Sequence, residues 1–315
     1  MKYGFGVDVG GTTVKIGLFE QTETLLERFE IPTHTENGGA RILPEIAEAI
    51  AGVLAKRGIA KEDVVGVGIG VPGPVAPDGT VNRCVNLNWG VFNLHKELSA
   101  LTGMRVKAGN DANCAALGEH WKGGGMGCRS TVFVTLGTGI GGGVILDGKI
   151  LGGAHGVGGE IGHITVNTPD PYPCTCGKRG CVEQYASANA VVRQTKERLA
   201  ASDEASVLRG RRDVTCKDVF AAAKGGDRLA EEVLEQSFDY LGEALASACC
   251  VADPERIILG GGMSKAGTYL LERVERHFKK YMFHACKGTE FSLAVLGNDA
   301  GIYGAFRLLT TEASE

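Results

Sequence analysis

A strand-like run that closes on a glycine turn and resumes as a second strand-like run occurs once in each half of this chain. Tyr3 to Val9 is rich in β-formers, meets Gly10-Gly11-Thr12-Thr13, and continues as Val14-Lys15-Ile16-Gly17-Leu18-Phe19, the pattern of a hairpin with a glycine turn. Thr131 to Leu136 meets Gly137-Thr138-Gly139 in the same way and runs on through Gly142 to Gly148. With Gly10 set against Gly137, the repeat predicts an internal duplication. A chain of 315 residues has room for two domains at roughly 150 residues each. No Pro-rich or Ser-rich linker separates the halves. The boundary is therefore placed loosely near residue 117, with a smaller lobe of 1–117 plus 299–315 and a larger one of 118–298.

Between the hairpins the elements alternate. Apolar residues at helical spacing (Ile42, Ile46, Ala49, Ile50, Val53, Leu54) predict a helix within 39–57 that stops at Gly58. Val64 to Val71 then alternates glycine with branched residues, so one face of that strand lacks side chains and something must approach it closely. Helical patterns follow over 187–200 and 226–251. A branched strand, Arg256-Ile257-Ile258-Leu259, runs into Gly260-Gly261-Gly262, and a last apolar helix near 300–310 is expected to pack back on the first half.

Composition narrows the function. Hydrophobic residues are 43% and charged residues 22%, which excludes bulk disorder. Lys and Arg number 33 against 37 Asp and Glu, a net charge of −4. That balance offers no basic surface for nucleic acid. The 48 glycines are about twice the usual share and have no period of three, so they serve local backbone geometry. No 18-residue apolar run and no signal-peptide core is present, which predicts a cytoplasmic protein without a membrane span. Ten cysteines in such a chain point to reduced thiols or metal ligands rather than disulfides.

Three glycine turns each follow a strand: Asp8-Val9-Gly10-Gly11-Thr12-Thr13, Leu136-Gly137-Thr138-Gly139 and Gly260-Gly261-Gly262. Glycine lets backbone N–H groups come close to an anion, and Thr hydroxyls add donors. One such turn is an ordinary hairpin; three, two with Thr and one with Asp, favour phosphate binding. Neither the P-loop pattern nor the dinucleotide-binding G-x-G-x-x-G unit occurs.

Cys174, Cys176 and Cys181 lie within eight residues on a loop framed by Pro173, Gly177 and Gly180. Three thiolates at this spacing fit three corners of a zinc tetrahedron, and His163 in Gly159-Glu160-Ile161-Gly162-His163 is the candidate fourth. A closed Cys₃His site has no open position for water, so its role is structural. The other cysteines read as small buried hydrophobes. His34, His95, His120, His155 and His284 read as surface or satisfied core.

Acid and base candidates are the carboxylates in polar or glycine-rich stretches: Asp8, Asp111, Glu160 and Glu183. Asp111 follows Asn110 between a strand-like run and an Ala-rich helix, where a helix cap is the plain alternative. Adjacent Asn and Asp at a strand end also suit a polar ligand, one residue orienting a hydroxyl and the other taking its proton. A solvated surface carboxylate is the plain alternative for Glu183.

Taken together these segments resemble the ROK family of sugar kinases and repressors, and most closely its ATP-dependent glucokinases. The likeness rests on Asp8 to Lys15, Asn110-Asp111-Ala112-Asn113, Leu136 to Gly143, Gly159 to His163, and Cys174-x-Cys176-Gly177-x-x-Gly180-Cys181-x-Glu183. The resemblance implies an α/β, actin-like or ribonuclease H-like ATPase fold of two lobes, with ATP and sugar in the cleft. It implies Asp111 as general base on the sugar 6-hydroxyl and Asn86, Asn110, Glu160, His163 and Glu183 as sugar contacts, with His163 also on zinc. Phosphate binding then falls to Asp8, Gly10, Gly11, Thr12, Thr13, Lys15, Gly137, Thr138, Gly139, Gly261 and Gly262, assisted by Mg²⁺. In the Asn86 loop Val85 stands where the family carries Pro, and Thr13 stands where many members carry Lys. A dimer or tetramer is implied by analogy.

Two alternatives share these motifs. The first is a kinase for another hexose, such as N-acetylmannosamine, N-acetylglucosamine or fructose. The second is a sugar sensor without catalysis. Repressors of the family place a DNA-reading domain before the first glycine turn, and Asp8 lies too near the start of this sequence to expect one.

Overall fold

The computed structural model describes residues 1–311. In chain order the first elements are strands β1 (Tyr3–Val9), β2 (Thr13–Glu20) and β3 (Leu25–Pro32), then a short turn of helix α1 (Glu36–Gly39) and α2 (Ile42–Arg57). They are followed by β4 (Val64–Val71), β5 (Thr80–Cys84), β6 (Trp89–Asn93), α3 (Leu94–Thr102), β7 (Val106–Asn110) and α4 (Asp111–Lys122). The second hairpin is β8 (Thr131–Leu136) and β9 (Ile140–Leu146), extended by β10 (Lys149–Ile150). Four helices come next, α5 (Glu183–Ala186), α6 (Ala188–Ala201), α7 (Cys216–Lys224) and α8 (Arg228–Ala252), then β11 (Arg256–Gly260), α9 (Thr268–Tyr281), β12 (Glu290–Leu293) and α10 (Ala300–Thr310).

The duplication appears as two five-stranded sheets of the same order, β3-β2-β1-β4-β7 and β10-β9-β8-β11-β12. In the first, β1 pairs antiparallel with β2 and parallel with β4, which is parallel to β7. In the second, β8, β11 and β12 are parallel. By internal contacts the chain divides into one unit of 1–129, 143–159 and 295–315 and another of 130–142 and 160–294. A boundary at residue 117 falls inside α4, whose hydrogen bonding carries the chain on to Lys122.

In the first unit, α2 buries Ile42, Ile46 and Ile50 against Val7, Ile16 and Ile69 of the sheet. Gly58 ends α2 in the left-handed region at φ 64°, as glycine permits without strain. The other sheet face meets α10. A Cβ on Gly6 would lie 2.0 Å from the Ile302 carbonyl oxygen, and one on Gly68 1.7 Å from that of Ala305. The side-chain-free face of β4 is therefore occupied by the last helix. Glu119 of α4 is buried and accepts the N–H groups of Gly124, Val295 and Leu296, which anchors the segment leading to α10.

The second unit packs α8 beside α7 and α9. Asp227 caps α8 through the Ala230 N–H. Across the α8 and α9 contact the buried His277 ring lies between Asp239 Oδ1 (2.6 Å) and Glu235 Oε2 (2.7 Å).

Candidate functional site

Parallel strands present their carboxyl ends together, and in open α/β sheets ligands bind there. In the first unit that edge is in register: Asp8 pairs with Gly70, Gly70 with Gly109, and Val71 with Asn110. Asp8 and Asp111 both act on the fully buried Cys114, whose thiol burial and these two carboxylates push well up. Burial also pushes the Asp8 carboxyl up, against the opposing pull of Lys15, whose Nζ is 3.9 Å away. Gly301 in the first turn of α10 makes room for it, since a Cβ there would meet Asp8 Cγ at 2.5 Å. Lys15 Nζ also donates to the Asn298 carbonyl at 3.2 Å.

Helix α4 begins with Asp111, yet its cap is Asn110. Asn110 is extended (φ −66°, ψ 145°) and its Oδ1 accepts the Asn113 N–H at 3.1 Å, while its Nδ2 donates to the Gly73 carbonyl. Asp111 Oδ1 accepts the neighbouring Ala112 N–H at 2.8 Å. Asn113, one turn in, is buried with its Oδ1 unpartnered, packed against Gly143 and Gly159.

The first glycine turn is closed by Gly10 N–H to Thr13 oxygen and braced by the Thr33 hydroxyl on the Gly10 carbonyl, leaving Gly11 and Thr12 exposed. Asn86 is exposed on a single 3₁₀ turn, Val85–Leu87, and its carbonyl lies about 4.0 Å from where a Gly11 side chain would start.

In the second unit the other two glycine turns stand at the carboxyl ends of β8 and β11. Gly261 (φ 80°) presses on Leu136, where a Cβ would come within 2.5 Å of its carbonyl oxygen. Thr138 is exposed at the tip of its turn. Glu183 opens α5 and turns toward this same loop: its Oε2 accepts the Ile140 N–H at 2.9 Å. Glu160 is exposed and precedes the 3₁₀ turn Ile161–His163, with the His163 N–H on its carbonyl.

His163, Cys174, Cys176 and Cys181 converge, their ligand atoms all within 4.8 Å of one another. Cys176 and Cys181 sulfurs are 3.6 Å apart, and Cys174 Sγ is 3.8 Å from His163 Nδ1. With metal–sulfur bonds of about 2.3 Å, tetrahedral corners lie roughly 3.5–3.8 Å apart, so the donor set fits zinc. Burial, with the neighbouring thiols, pushes Cys181 up to about 12, whereas the Lys178 N–H draws the exposed Cys176 thiol down. Nδ1 faces the sulfurs, which leaves the imidazole Nε2 for another partner.

A cavity of about 650 Å³ lies wholly within this unit, lined by Gly137 and Thr138, Gly262 and Met263, and Cys216 and Phe220 of α7. The α7 wall carries no motif and is missed by sequence reasoning; amphipathic spacing there signals only a helix. The seven cysteines outside the cluster divide, with Cys84, Cys114, Cys249 and Cys286 buried, Cys128 and Cys216 partly so, and Cys250 exposed, so Cys250 departs from the expected burial. No helix among the described residues is long and apolar enough to cross a membrane.

The ROK family pattern matches residues 4–312. A glucokinase of Halalkalibacterium halodurans is 42% identical over 95% of this chain and 92% of its own. An N-acetyl-D-glucosamine kinase of Vibrio vulnificus is 31% identical over 97% and 98%. Among solved structures, a ROK hexokinase from Thermus thermophilus superposes with a TM-score of 0.82 at 33% identity, covering 97% of both chains. A ROK family glucokinase from Streptomyces griseus, in complex with glucose and AMPPNP, gives 0.75 at 34%, covering 97% and 98%.

Proposed function

The chain belongs to the ROK family and has the actin-like α/β fold of its sugar kinases, and from that premise we propose that it is a glucokinase, transferring the terminal phosphoryl group of ATP to the 6-hydroxyl of glucose. The observation that carries the choice of sugar is the 42% likeness to a glucokinase, against 31% to an N-acetyl-D-glucosamine kinase.

Phosphoryl transfer asks little covalent work of a protein, because positioning and electrostatics carry the rate. We assign Asp111 as the base that accepts the hydroxyl proton. Its neighbour Asn110 already holds the helix cap, so the Asp111 carboxylate is not required for that purpose. Asn86, Asn110, Glu160, His163 and Glu183 are assigned to sugar hydroxyls, His163 through the nitrogen that does not face the sulfurs. The glycine turns with Thr12, Thr13, Lys15 and Thr138 are assigned to phosphate oxygens, and the second-unit cavity to the nucleoside. Mg²⁺ neutralises polyphosphate charge when bound; Asp8, pushed up by burial, is the carboxylate whose ionisation a nearby cation would restore.

Zinc is assigned to His163, Cys174, Cys176 and Cys181, where it would draw thiols into the thiolate form and hold the loop. The compartment proposed is the cytoplasm.

The test follows ADP release from Mg-ATP with glucose, mannose, fructose, N-acetylglucosamine and N-acetylmannosamine. Fast release with glucose supports the reading. Preference for an N-acetyl sugar moves the substrate and keeps the chemistry, and no release with any sugar contradicts a kinase.

A further inference from the structure

The backbone of Ile140, first residue past the second glycine turn, is gripped from two sides. Its N–H donates to Glu183 Oε2, and its carbonyl oxygen lies 2.1 Å from where a Gly162 side chain would begin. The Glu183 carboxylate lies close against the turn itself, since a Cβ on Gly139 would meet Oε2 at 2.4 Å. At the turn's other end the Gly137 carbonyl accepts the Ala188 N–H at 2.8 Å. Each gripping segment also carries a ligand of the Cys/His cluster: Gly162 precedes His163, and Glu183 follows Cys181 by two residues. The segments are joined by the Val182 N–H on the Ile164 carbonyl at 2.9 Å. Gly137, Thr138 and Ala188 all line the cavity of the second unit.

We infer that Glu183 is a positioning residue for the Gly137–Ile140 turn, and that through Glu183 and Gly162 the Cys/His cluster sets the affinity of the adjoining cavity for nucleotide. The inference rests on the proposed nucleotide reading of that cavity. A glycine-rich turn has many backbone conformations to lose, and a ligand that must order it pays in affinity. A carboxylate that accepts a residue's N–H, with a second segment packed on the same residue's carbonyl, orders the turn beforehand. Metal at the cluster fixes both segments at once. This work of Glu183 occupies Oε2 and leaves Oε1, which is 3.4 Å from Gln184 Nε2, to other partners.

The experiment is calorimetric titration of ADP, without sugar, into zinc-loaded and zinc-free protein. Glu183→Ala is expected to weaken ADP about tenfold, the loss of one hydrogen bond to a charged group. Glu183→Gln keeps an acceptor for the Ile140 N–H and is expected to stay within about twofold of native. Removing zinc from native protein is expected to weaken ADP comparably, and from Glu183→Ala to add less than it does in native protein, because one of the two links is already cut. Gly139→Ala, which drives a methyl into Oε2, is the second variant should Glu183→Ala not fold, and it too should weaken ADP. Native binding that is unchanged in Glu183→Ala, or unchanged by zinc removal, overturns the inference alone. Native zinc-loaded protein that takes up no ADP overturns the nucleotide reading and the inference with it.

Discussion

The Asn113 N–H donates to the side-chain oxygen of Asn110 at 3.1 Å, so Asn110 and not Asp111 caps helix α4. The two neighbours should therefore separate in mutation. Asn110→Ala is expected to lower stability by about 1 kcal/mol in chemical denaturation, with Asn110→Asp retaining the cap. Asp111→Asn leaves the cap alone and is expected to lower turnover by about 10²–10⁴-fold while glucose affinity stays near native. Substantial turnover in Asp111→Asn would contradict the base assignment.

Zinc should be present at one equivalent per chain and lost in Cys176→Ala, as read by metal analysis. Since thiolates are the ligands and burial pushes Cys181 up to about 12, metal uptake at neutral pH should release protons, and zinc affinity should fall as pH falls. Glucose affinity should fall in the metal-free protein through loss of order in the His163 and Glu183 segments. Unchanged sugar affinity without metal would contradict the ordering role of the metal.

Acid stability should depend on α8 and α9. Burial acts to raise Glu235, but hydrogen bonds from His277 and Arg276 outweigh it and hold the carboxyl below its usual range. For Asp239 burial is likewise outweighed, by Lys280, Tyr281 and His277. A depressed carboxylate contributes stability that is present above its unfolded pKa, about 4, and lost as pH falls through the folded value. The melting temperature should thus drop below about pH 4, and Glu235→Gln should flatten that drop. An equally steep acid limb in the variant would show that other groups set it.

Glycines divide sharply by surroundings. Gly68→Ala would place a methyl 1.7 Å from the Ala305 carbonyl oxygen, and a loss of about 3 kcal/mol or more is expected in urea unfolding. Gly52 lies inside α2 with nothing within 4 Å of a Cβ. Gly52→Ala is expected to gain about 0.5–1 kcal/mol. Equal effects at both sites would refute the close approach of α10.

Local patterns are legible in the sequence where the backbone alone decides. The glycine turns end β1 and β8, Gly58 stops α2, and the bare face of β4 meets α10 because no side chain keeps them apart. The Cys and His spacing was equally legible, as short loops place such ligands without help from the rest of the fold. The α4 cap was not: Asn and Asp are equally good caps, and only the extended conformation of Asn110 decides. Nor was the bond from Ile140 to Glu183, which joins residues 43 positions apart. Nothing in the sequence around His277 marks it, because its carboxylate partners come from another helix. The division at Arg129 is carried by tertiary contacts, while α4 runs through residue 117 without any break in pattern.

The most direct measurement is the identity of the product. Protein, Mg-ATP and uniformly ¹³C-labelled glucose would be followed by carbon and phosphorus NMR, with Asp111→Asn in parallel. Phosphorus coupling at carbon 6 over two bonds and at carbon 5 over three, and at no other carbon, with far less product formed by the variant in the same time, is the predicted result. Coupling at any of carbons 1 to 4, or no phosphorylated glucose from the native protein, would contradict the account.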